Sequence, residues 1–168
     1  MTLRNLIAFP LLILAVILQS SVVSRVTLLA GFADLPLVMV IAWAIQEGVT
    51  SAWHWAILAG ILTAFVSGLP WPIPVVGFPA AVLLAQVLQR RIWQAPLLAM
   101  FSVTFLASLF IHVMSFVVLS IFRSPLPFGD SFSLITLPSV LLDMLLAIPI
   151  FWLMRDLARW VYPVEEEE

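Results

Sequence analysis

The stretch from Gly48 to Gly68 reads GVTSAWHWAILAGILTAFVSG, and a small residue stands at every fourth position. These residues are Gly48, Ala52, Ala56, Gly60, Ala64 and Gly68. Helices in lipid associate through close van der Waals contact and interhelical hydrogen bonds, which small residues permit by letting backbones approach each other. A step of four residues advances about 40° around a helix, so the pattern predicts a shallow spiral ridge. The ridge packs either against the protein's own helices or against a partner helix, and the pattern leaves both alternatives open.

The composition indicates the class of protein. Of the 168 residues, 64% are apolar and 10% are charged, and the mean hydropathy is +1.19. Soluble domains are far less apolar, so we expect an all-α integral membrane protein. Since about 20 apolar residues cross a bilayer, the apolar runs predict six transmembrane helices. The predicted spans are residues 6–23, 28–46, 52–69, 73–89, 95–122 and 133–154. They make one transmembrane domain over residues 1–160, followed by an acidic cytoplasmic tail at 161–168.

The arginines divide unequally between the two sides of a bundle with six spans. One side has Arg4, Arg90, Arg91, Arg155 and Arg159, and the other has Arg25 and Arg123. Because cytoplasmic loops of membrane proteins are richer in basic residues, we expect both termini to be cytoplasmic. The first run also resembles a signal peptide, but we favour an uncleaved first span because cleavage would spoil this charge pattern. Tryptophans near the predicted span ends, Trp53 and Trp55 among them, are expected at the membrane interface.

One acid, Asp143, lies well inside a predicted span. It shares a helix face with Thr136 and Ser139, and on the fifth run His112 shares a face with Ser108. Both Asp143 and His112 lie about ten residues, or roughly 15 Å, from the loop between their runs, so they are placed to meet. Such a pair either relays protons or binds a cation, or it only fixes the fifth helix against the sixth. We favour the structural role, because transport pathways usually contain more ionisable groups.

The sequence contains no pattern that indicates catalysis or a bound cofactor. Cysteine is absent, and the two histidines, His54 and His112, lack the spacing of a metal site. There is no GxSxG serine, no glycine-rich phosphate loop and no basic surface suited to nucleic acid. We therefore expect a protein that is not an enzyme, has no metal or cofactor, and does not bind nucleic acid.

Several pieces of the chain together resemble a known family. They are LILAVILQSSV in the first run, the proline-led LPLVMVIAWAIQEG, the glycine-paced GILTAFVSG and the polar tail. The most recognisable positions are Leu18, Gln19, Pro36, Gly48, Gly60, Ser67 and Gly68. In length, layout and spaced small residues the chain resembles the bacterial rod shape-determining protein MreD family. It departs from the family pattern at Ala64, where an aspartate is common.

This resemblance implies a multi-pass protein of the bacterial inner membrane that takes part in cell elongation. A member of the family binds the single-span protein MreC and links MreB filaments to peptidoglycan synthesis by RodA and its penicillin-binding partner. The resemblance also implies a fold similar to the substrate-binding component of energy-coupling-factor vitamin transporters, and a fold does not determine a function. A vitamin-binding transporter subunit is therefore the alternative. A proton-coupled channel or carrier built on His112 and Asp143 is a third hypothesis.

If the chain is a scaffold, its small residues and the adjacent apolar faces bind other helices. A basic flank would then face the cytoplasm and contact anionic lipid or an acidic partner, of which we favour lipid. This flank consists of Arg90, Arg91, Arg155 and Arg159.

Overall fold

Helices account for most of the chain. A computed structural model describes residues 7–91, 95–122 and 128–162. The long helices in these ranges are α1 (Ala8–Ser21), α2 (Leu35–Ala44), α3 (Ala52–Val66), α4 (Pro72–Arg91), α5 (Pro96–Phe122) and α6 (Leu137–Val161). A 3₁₀ turn, Val23–Arg25, follows α1. A helical turn, Phe128–Ser131, and a π-helical segment, Phe132–Thr136, lead into α6.

Within the described ranges, four helical stretches are long and apolar enough to cross a membrane. They are Ala8–Arg25, Pro72–Gln89, Pro96–Phe122 and Phe128–Val161. The other two long helices, α2 and α3, have 10 and 15 residues and are shorter than these stretches. A bilayer core of about 30 Å needs about 20 helical residues, so neither of them reaches that length. The expectation of an all-α chain with membrane-type helices is confirmed, whereas six full spans remain a prediction.

The short helix α2 lies at the centre of the bundle. All ten of its residues are buried, and it contacts each of the other five long helices. A helix that is apolar on all sides suits such a position. Trp43 on α2 stacks on Trp55 of α3 with ring centroids 4.6 Å apart, and its indole N–H donates to Ser51 Oγ at 3.1 Å. Trp55 is fully buried, so the expectation that it anchors the chain at a membrane surface is wrong, whereas Trp53 is exposed.

The helix in the second predicted span begins later than predicted. Residues 28–46 were expected to be helical, but Thr27–Leu28 and Gly31–Phe32 pair as two short antiparallel strands. The helix begins at Leu35 because the Asp34 carboxylate accepts from the Leu37 N–H at 3.1 Å, which caps the first turn, and Pro36 suits that turn. Residues 27–34 therefore form a hairpin and a connection that lead into the central helix.

The π-helical segment provides a backbone partner for this hairpin. Pro138 lacks an N–H, so it cannot donate to the carbonyl of Leu134, four residues earlier. The Ala30 N–H of the hairpin donates to that carbonyl at 3.0 Å. Gly31 lies so close that a Cβ atom there would be 2.7 Å from both Ile135 O and Ser139 N. Only glycine allows this approach of the two backbones.

The other helix ends lie close to the predicted ones, with one exception. The helices α1, α3, α4 and α5 begin and end within three residues of the predicted spans 6–23, 52–69, 73–89 and 95–122. The helix α6 continues to Val161, seven residues beyond the predicted end at 154. Its last two turns carry the charged residues Arg155, Asp156 and Arg159, which an apolar run does not include. The predicted acidic run Glu165–Glu168 lies outside the described residues.

Candidate functional site

Of the six small residues spaced four apart, some are buried and others are exposed. Ala52, Ala56 and Gly60 are buried on α3. At Gly60 a Cβ atom would lie 2.9 Å from the carbonyl oxygen of Pro74 and 3.3 Å from the Cα of Val75 on α4. This part of the line therefore brings two helices of the same chain into backbone contact.

The two ends of the line do not belong to the helix. Helix α3 begins at Ala52 and ends at Val66, so Gly48 and Gly68 lie in the flanking turns. Both are exposed, and a Cβ atom at either position would meet nothing within 4 Å. Gly48 has a φ of +76°, so glycine suits it for conformational reasons. Ala64 is half-buried. The predicted continuous ridge of six residues is therefore interrupted, because the four-residue spacing extends beyond the helix.

Asp143 on α6 is fully buried, and both of its carboxylate oxygens accept hydrogen bonds. Oδ1 accepts from the backbone N–H of Asp34 at 2.6 Å, and Oδ2 accepts from the Ser108 hydroxyl of α5 at 2.6 Å. One turn earlier on α6, the Ser139 hydroxyl accepts from the Phe32 N–H at 3.1 Å. The buried acid thus joins α5 and α6 to the connection before α2.

His112 and Asp143 are not directly hydrogen-bonded within the described part of the chain. The Nδ1 atom of His112 lies 2.9 Å from the carbonyl oxygen of Ser108, one turn earlier on α5, and it donates there when Nδ1 carries the proton. Asp143 binds the hydroxyl of the same serine. Ser108 therefore stands between the two residues that the sequence analysis placed together.

Gln19 on α1 completes the set of polar contacts around this connection. Its side-chain amide donates to the carbonyl of Ala33 at 2.8 Å and accepts from the N–H of Leu35 at 2.9 Å. From the sequence, Gln19 is expected to have a packing role near the end of its run, in reach of headgroups or neighbouring backbone. A polar residue within a strongly apolar helix was the available signal, but its partners are backbone groups that no sequence motif identifies.

We call the side chains of Gln19, Asp34, Ser108, Ser139 and Asp143 the polar junction. They pair the backbone N–H groups of Phe32, Asp34, Leu35 and Leu37 and the carbonyl of Ala33. Non-helical backbone at membrane depth is tolerated only where protein or water pairs its polar groups. Each buried group left unpaired costs about 1–3 kcal/mol. The polar junction therefore stabilises the start of the central helix.

A cavity of about 510 Å³ borders the polar junction. It lies between α1 with its 3₁₀ turn, the hairpin with the start of α2, and the end of α3. The lining residues include Gln19, Ser24, Asp34, Thr63 and Ser67. The side-chain oxygens of Thr63 and Ser67 are buried and have no hydrogen-bond partner in the described part of the chain.

The predicted basic flank is described only in part. Arg90 and Arg91 end α4, and their side chains lie outside the described residues. The Arg155 guanidinium lies 3.9 Å above the Trp152 ring, and Arg155 Nε is 3.7 Å from Asp156 Oδ1. Arg159 is exposed and lines, with Arg155, a second cavity of about 340 Å³. These side chains lie far along α6 from Asp143.

No protein-family model, curated protein or solved structure matches the chain. No cluster of three or more His, Cys, Asp or Glu side chains able to hold a metal occurs among the residues that the structure describes. Across residues 7–91, 95–122 and 128–162, the fold and site define an all-α protein with four helices long and apolar enough to cross a membrane and a buried polar junction around the start of a central helix.

Proposed function

We propose that the chain is a membrane scaffold without enzymatic activity, which acts by binding other helices in the bilayer. Following the family resemblance, the complex is the bacterial cell-elongation machinery. The chain would bind MreC there and link MreB filaments to peptidoglycan synthesis by RodA and its penicillin-binding partner. It would lie in the inner membrane with both termini in the cytoplasm and its arginines against anionic lipid.

The hydrogen bonds of Asp143 are the observation that carries this proposal. An acid that relays protons must exchange them with a pathway of other ionisable groups or water. Here both carboxylate oxygens of Asp143 accept from groups of the same chain, the Asp34 N–H and the Ser108 hydroxyl. This arrangement supports a structural role for Asp143, the acid well inside a predicted span, and it disfavours a channel or carrier built on His112 and Asp143.

Apolar side chains on the outer face of α3 offer a surface for a partner helix. Trp53, Ile57, Ile61 and Phe65 follow each other at four-residue intervals and are all exposed, Phe65 at 86%. Residues four apart lie on one side of a helix. The buried small residues Ala56 and Gly60 are on the same helix and pack inward. In this proposal α3 packs inward through its small residues and meets its partner through the large ones.

Co-purification with tagged MreC tests the proposal. The chain and MreC would be expressed together, solubilised in mild detergent and captured through the tag on MreC. We expect the chain to be retained, and we expect Ile57→Ala with Phe65→Ala to weaken retention. The matched control, Leu145→Ala, removes a similarly exposed side chain from α6. No retention of the folded chain, or equal retention of all variants, would contradict the respective parts of the proposal.

A second experiment separates the structural role of Asp143 from transport. Asp143→Asn keeps a carbonyl oxygen that accepts from the Asp34 N–H, so we expect assembly with MreC to persist. Proton and cation flux into vesicles that contain the purified chain would be measured for both forms. A flux that is present in the unmodified chain and lost in the folded variant would contradict the scaffold proposal.

The cavity of about 510 Å³ favours one alternative function, the substrate-binding subunit of a vitamin transporter. Its volume lies within the range of about 300–1,000 Å³ that is typical of ligand sites. Capture of transporter ATPases instead of MreC by the tagged chain would favour this alternative.

A further inference from the structure

The cavity beside the polar junction has walls from three separate parts of the chain. α1 and its 3₁₀ turn contribute Val16 and Ser24, the hairpin and α2 contribute Phe32 and Pro36, and the turn after α3 contributes Leu69. Most of this wall is apolar, which suits the body of an organic molecule. The cavity is distinct from the outer face of α3, so a ligand here is independent of the proposed scaffold function.

Several polar atoms that line the cavity accept hydrogen bonds. The Asp34 carboxylate uses Oδ1 to accept from the Leu37 N–H, and Oδ2 has no hydrogen-bond partner among the described residues. The hydroxyls of Ser20 and Ser24 donate to the backbone carbonyls of Val16 and Ser20, so their oxygens remain available as acceptors. The cavity therefore offers acceptors to a ligand that donates.

Two further hydroxyls lack any partner. The oxygens of Thr63, in the last turn of α3, and Ser67, directly after α3, are buried without a hydrogen bond among the described residues. A buried polar group without a partner costs about 1–3 kcal/mol, which a ligand with polar hydrogens recovers on binding. Thr63, Ser67 and Asp34 belong to separate segments of the chain that line the same cavity, so one ligand can meet polar groups from both segments.

The charged residues at the cavity favour a cationic ligand over an anionic one. None of its lining residues is lysine, arginine or histidine, and Asp34 is its acid. The Asp143 carboxylate lies behind Asp34, where it accepts from the Asp34 N–H. An anionic ligand would meet these carboxyl groups without a compensating base, whereas a cation beside Asp34 is attracted to both.

We propose that this cavity binds a small organic amine, with the protonated amino group at Asp34 and Thr63 and the apolar body against Val16, Phe32 and Leu69. The amino group would donate to Asp34 Oδ2 and to the hydroxyl oxygen of Thr63. Its charge distinguishes it from a neutral lipid chain, which would gain only apolar contact in the same space.

Binding of three aromatic probes of similar size tests this proposal. The purified full chain in phosphatidylcholine nanodiscs would be titrated with 2-phenylethylamine, 2-phenylethanol and 3-phenylpropionate, with saturation-transfer NMR as readout and empty nanodiscs as the blank. We expect saturable binding of the amine, about tenfold or more tighter than that of the alcohol, because hydrogen bonds to charged groups are the stronger ones. The carboxylate is expected to bind most weakly.

Two variants identify the site. Asp34→Asn keeps an oxygen that caps α2 and removes the charge, so it should abolish the preference for the amine. Thr63→Val keeps the shape of the side chain and should weaken amine binding severalfold. This variant tests the assigned site if Asp34→Asn does not fold. Asp130→Asn removes an exposed acid outside the cavity and should change nothing.

Four results would overturn the proposal. They are equal binding of amine and alcohol, preference for the carboxylate, an unchanged preference in folded Asp34→Asn or unchanged amine binding in folded Thr63→Val, and no saturable binding above the blank. Loss of MreC capture would not by itself affect this outcome, so failure of the scaffold proposal is distinguishable from failure of this one.

Discussion

The carboxylate of Asp143 accepts a hydrogen bond from the backbone N–H of Asp34 at 2.6 Å, across 109 positions of the chain. This contact ties the last helix to the connection that precedes the central helix α2. Its second oxygen binds Ser108, so a single side chain holds three parts of the bundle together. The stability of the whole fold should therefore depend on residue 143.

Replacing Asp143 by leucine should strongly destabilise the protein. The Asp34 N–H and the Ser108 hydroxyl would both lose their partner in an apolar interior, at about 1–3 kcal/mol each, or roughly 2–6 kcal/mol together. Unfolding in mixed micelles with increasing SDS measures the free energy. Asp143→Asn should lose less because it retains an acceptor, and Asp156→Asn, an exposed acid on the same helix, should lose almost nothing. Equal stability of the leucine variant and the unmodified chain would show that the polar junction is unimportant.

Replacing Gln19 by leucine should loosen the hairpin and the start of α2. The variant fills similar space but leaves the Ala33 carbonyl and the Leu35 N–H unpaired. Hydrogen–deuterium exchange by mass spectrometry should therefore become faster in peptides that cover residues 27–37. Gln46→Leu is the control, since the Gln46 side chain, just after α2, donates among the described residues only to the Ala42 carbonyl. Unchanged exchange after Gln19→Leu would contradict the assigned role.

Replacing Gly31 by alanine should separate the hairpin from α6. The added Cβ would lie 2.7 Å from the backbone atoms Ile135 O and Ser139 N, which cannot move like the end of a side chain. Overpacking of this kind typically costs about 1–3 kcal/mol, and the displaced hairpin also loses its hydrogen bonds. Thermal melting in detergent measures the loss. Gly129→Ala, an exposed position with nothing within 4 Å, should melt like the unmodified chain.

Replacing Gly60 by leucine should prevent correct folding before it affects any partner. Even the first added carbon would be 2.9 Å from the Pro74 carbonyl oxygen, so α3 and α4 would be forced apart. Size-exclusion chromatography and melting should reveal the defect in the chain alone. Gly68→Leu, at the exposed end of the same line, should fold normally. A folded Gly60→Leu variant that no longer captures MreC would indicate instead that Gly60 is a partner contact.

Replacing Pro138 by alanine should weaken the hydrogen bond from the Ala30 N–H to the Leu134 carbonyl oxygen. The new N–H would compete for the Leu134 carbonyl, which now accepts from the Ala30 N–H at 3.0 Å. We expect faster exchange of the Ala30 amide and a loss of about 1 kcal/mol in the free energy of unfolding. Pro149→Ala, further along α6, should leave the Ala30 amide unchanged. Equal exchange rates in both variants would contradict this explanation of the π-helical segment.

Much of the helical arrangement could be predicted from the sequence, because apolar runs bounded by glycine, proline and charge locate helices in a chain of this composition. Asp143 stood out for the same reason, since an acid within an apolar run needs a partner. Its partner could not be predicted, because the Asp34 N–H is a backbone group and every residue except proline has one. The aligned spacing of His112 therefore suggested a pairing that the structure does not contain.

Two other features, the short strands and the ends of α3, could not be predicted from sequence patterns. The strands Thr27–Leu28 and Gly31–Phe32 are two residues each, too short for any alternation to show. The four-residue spacing from Gly48 to Gly68 does not indicate where a helix begins or ends. The predicted ridge therefore included Gly48 and Gly68, which lie outside α3. The hairpin depends on contacts with a distant segment of the chain, and the length of the ridge depends on where α3 ends.

The π-helical turn and the acid of α6 also impose an order on biosynthesis. The hairpin near residue 30 leaves the ribosome long before Leu134, Ser139 and Asp143 do. Its N–H groups therefore lack these acceptors until α6 has been made. A chain that stops after α5 would lack the acceptors Leu134 O, Ser139 Oγ and Asp143 Oδ1. The N–H groups of Ala30, Phe32 and Asp34 therefore gain these partners only after α6 has been synthesised.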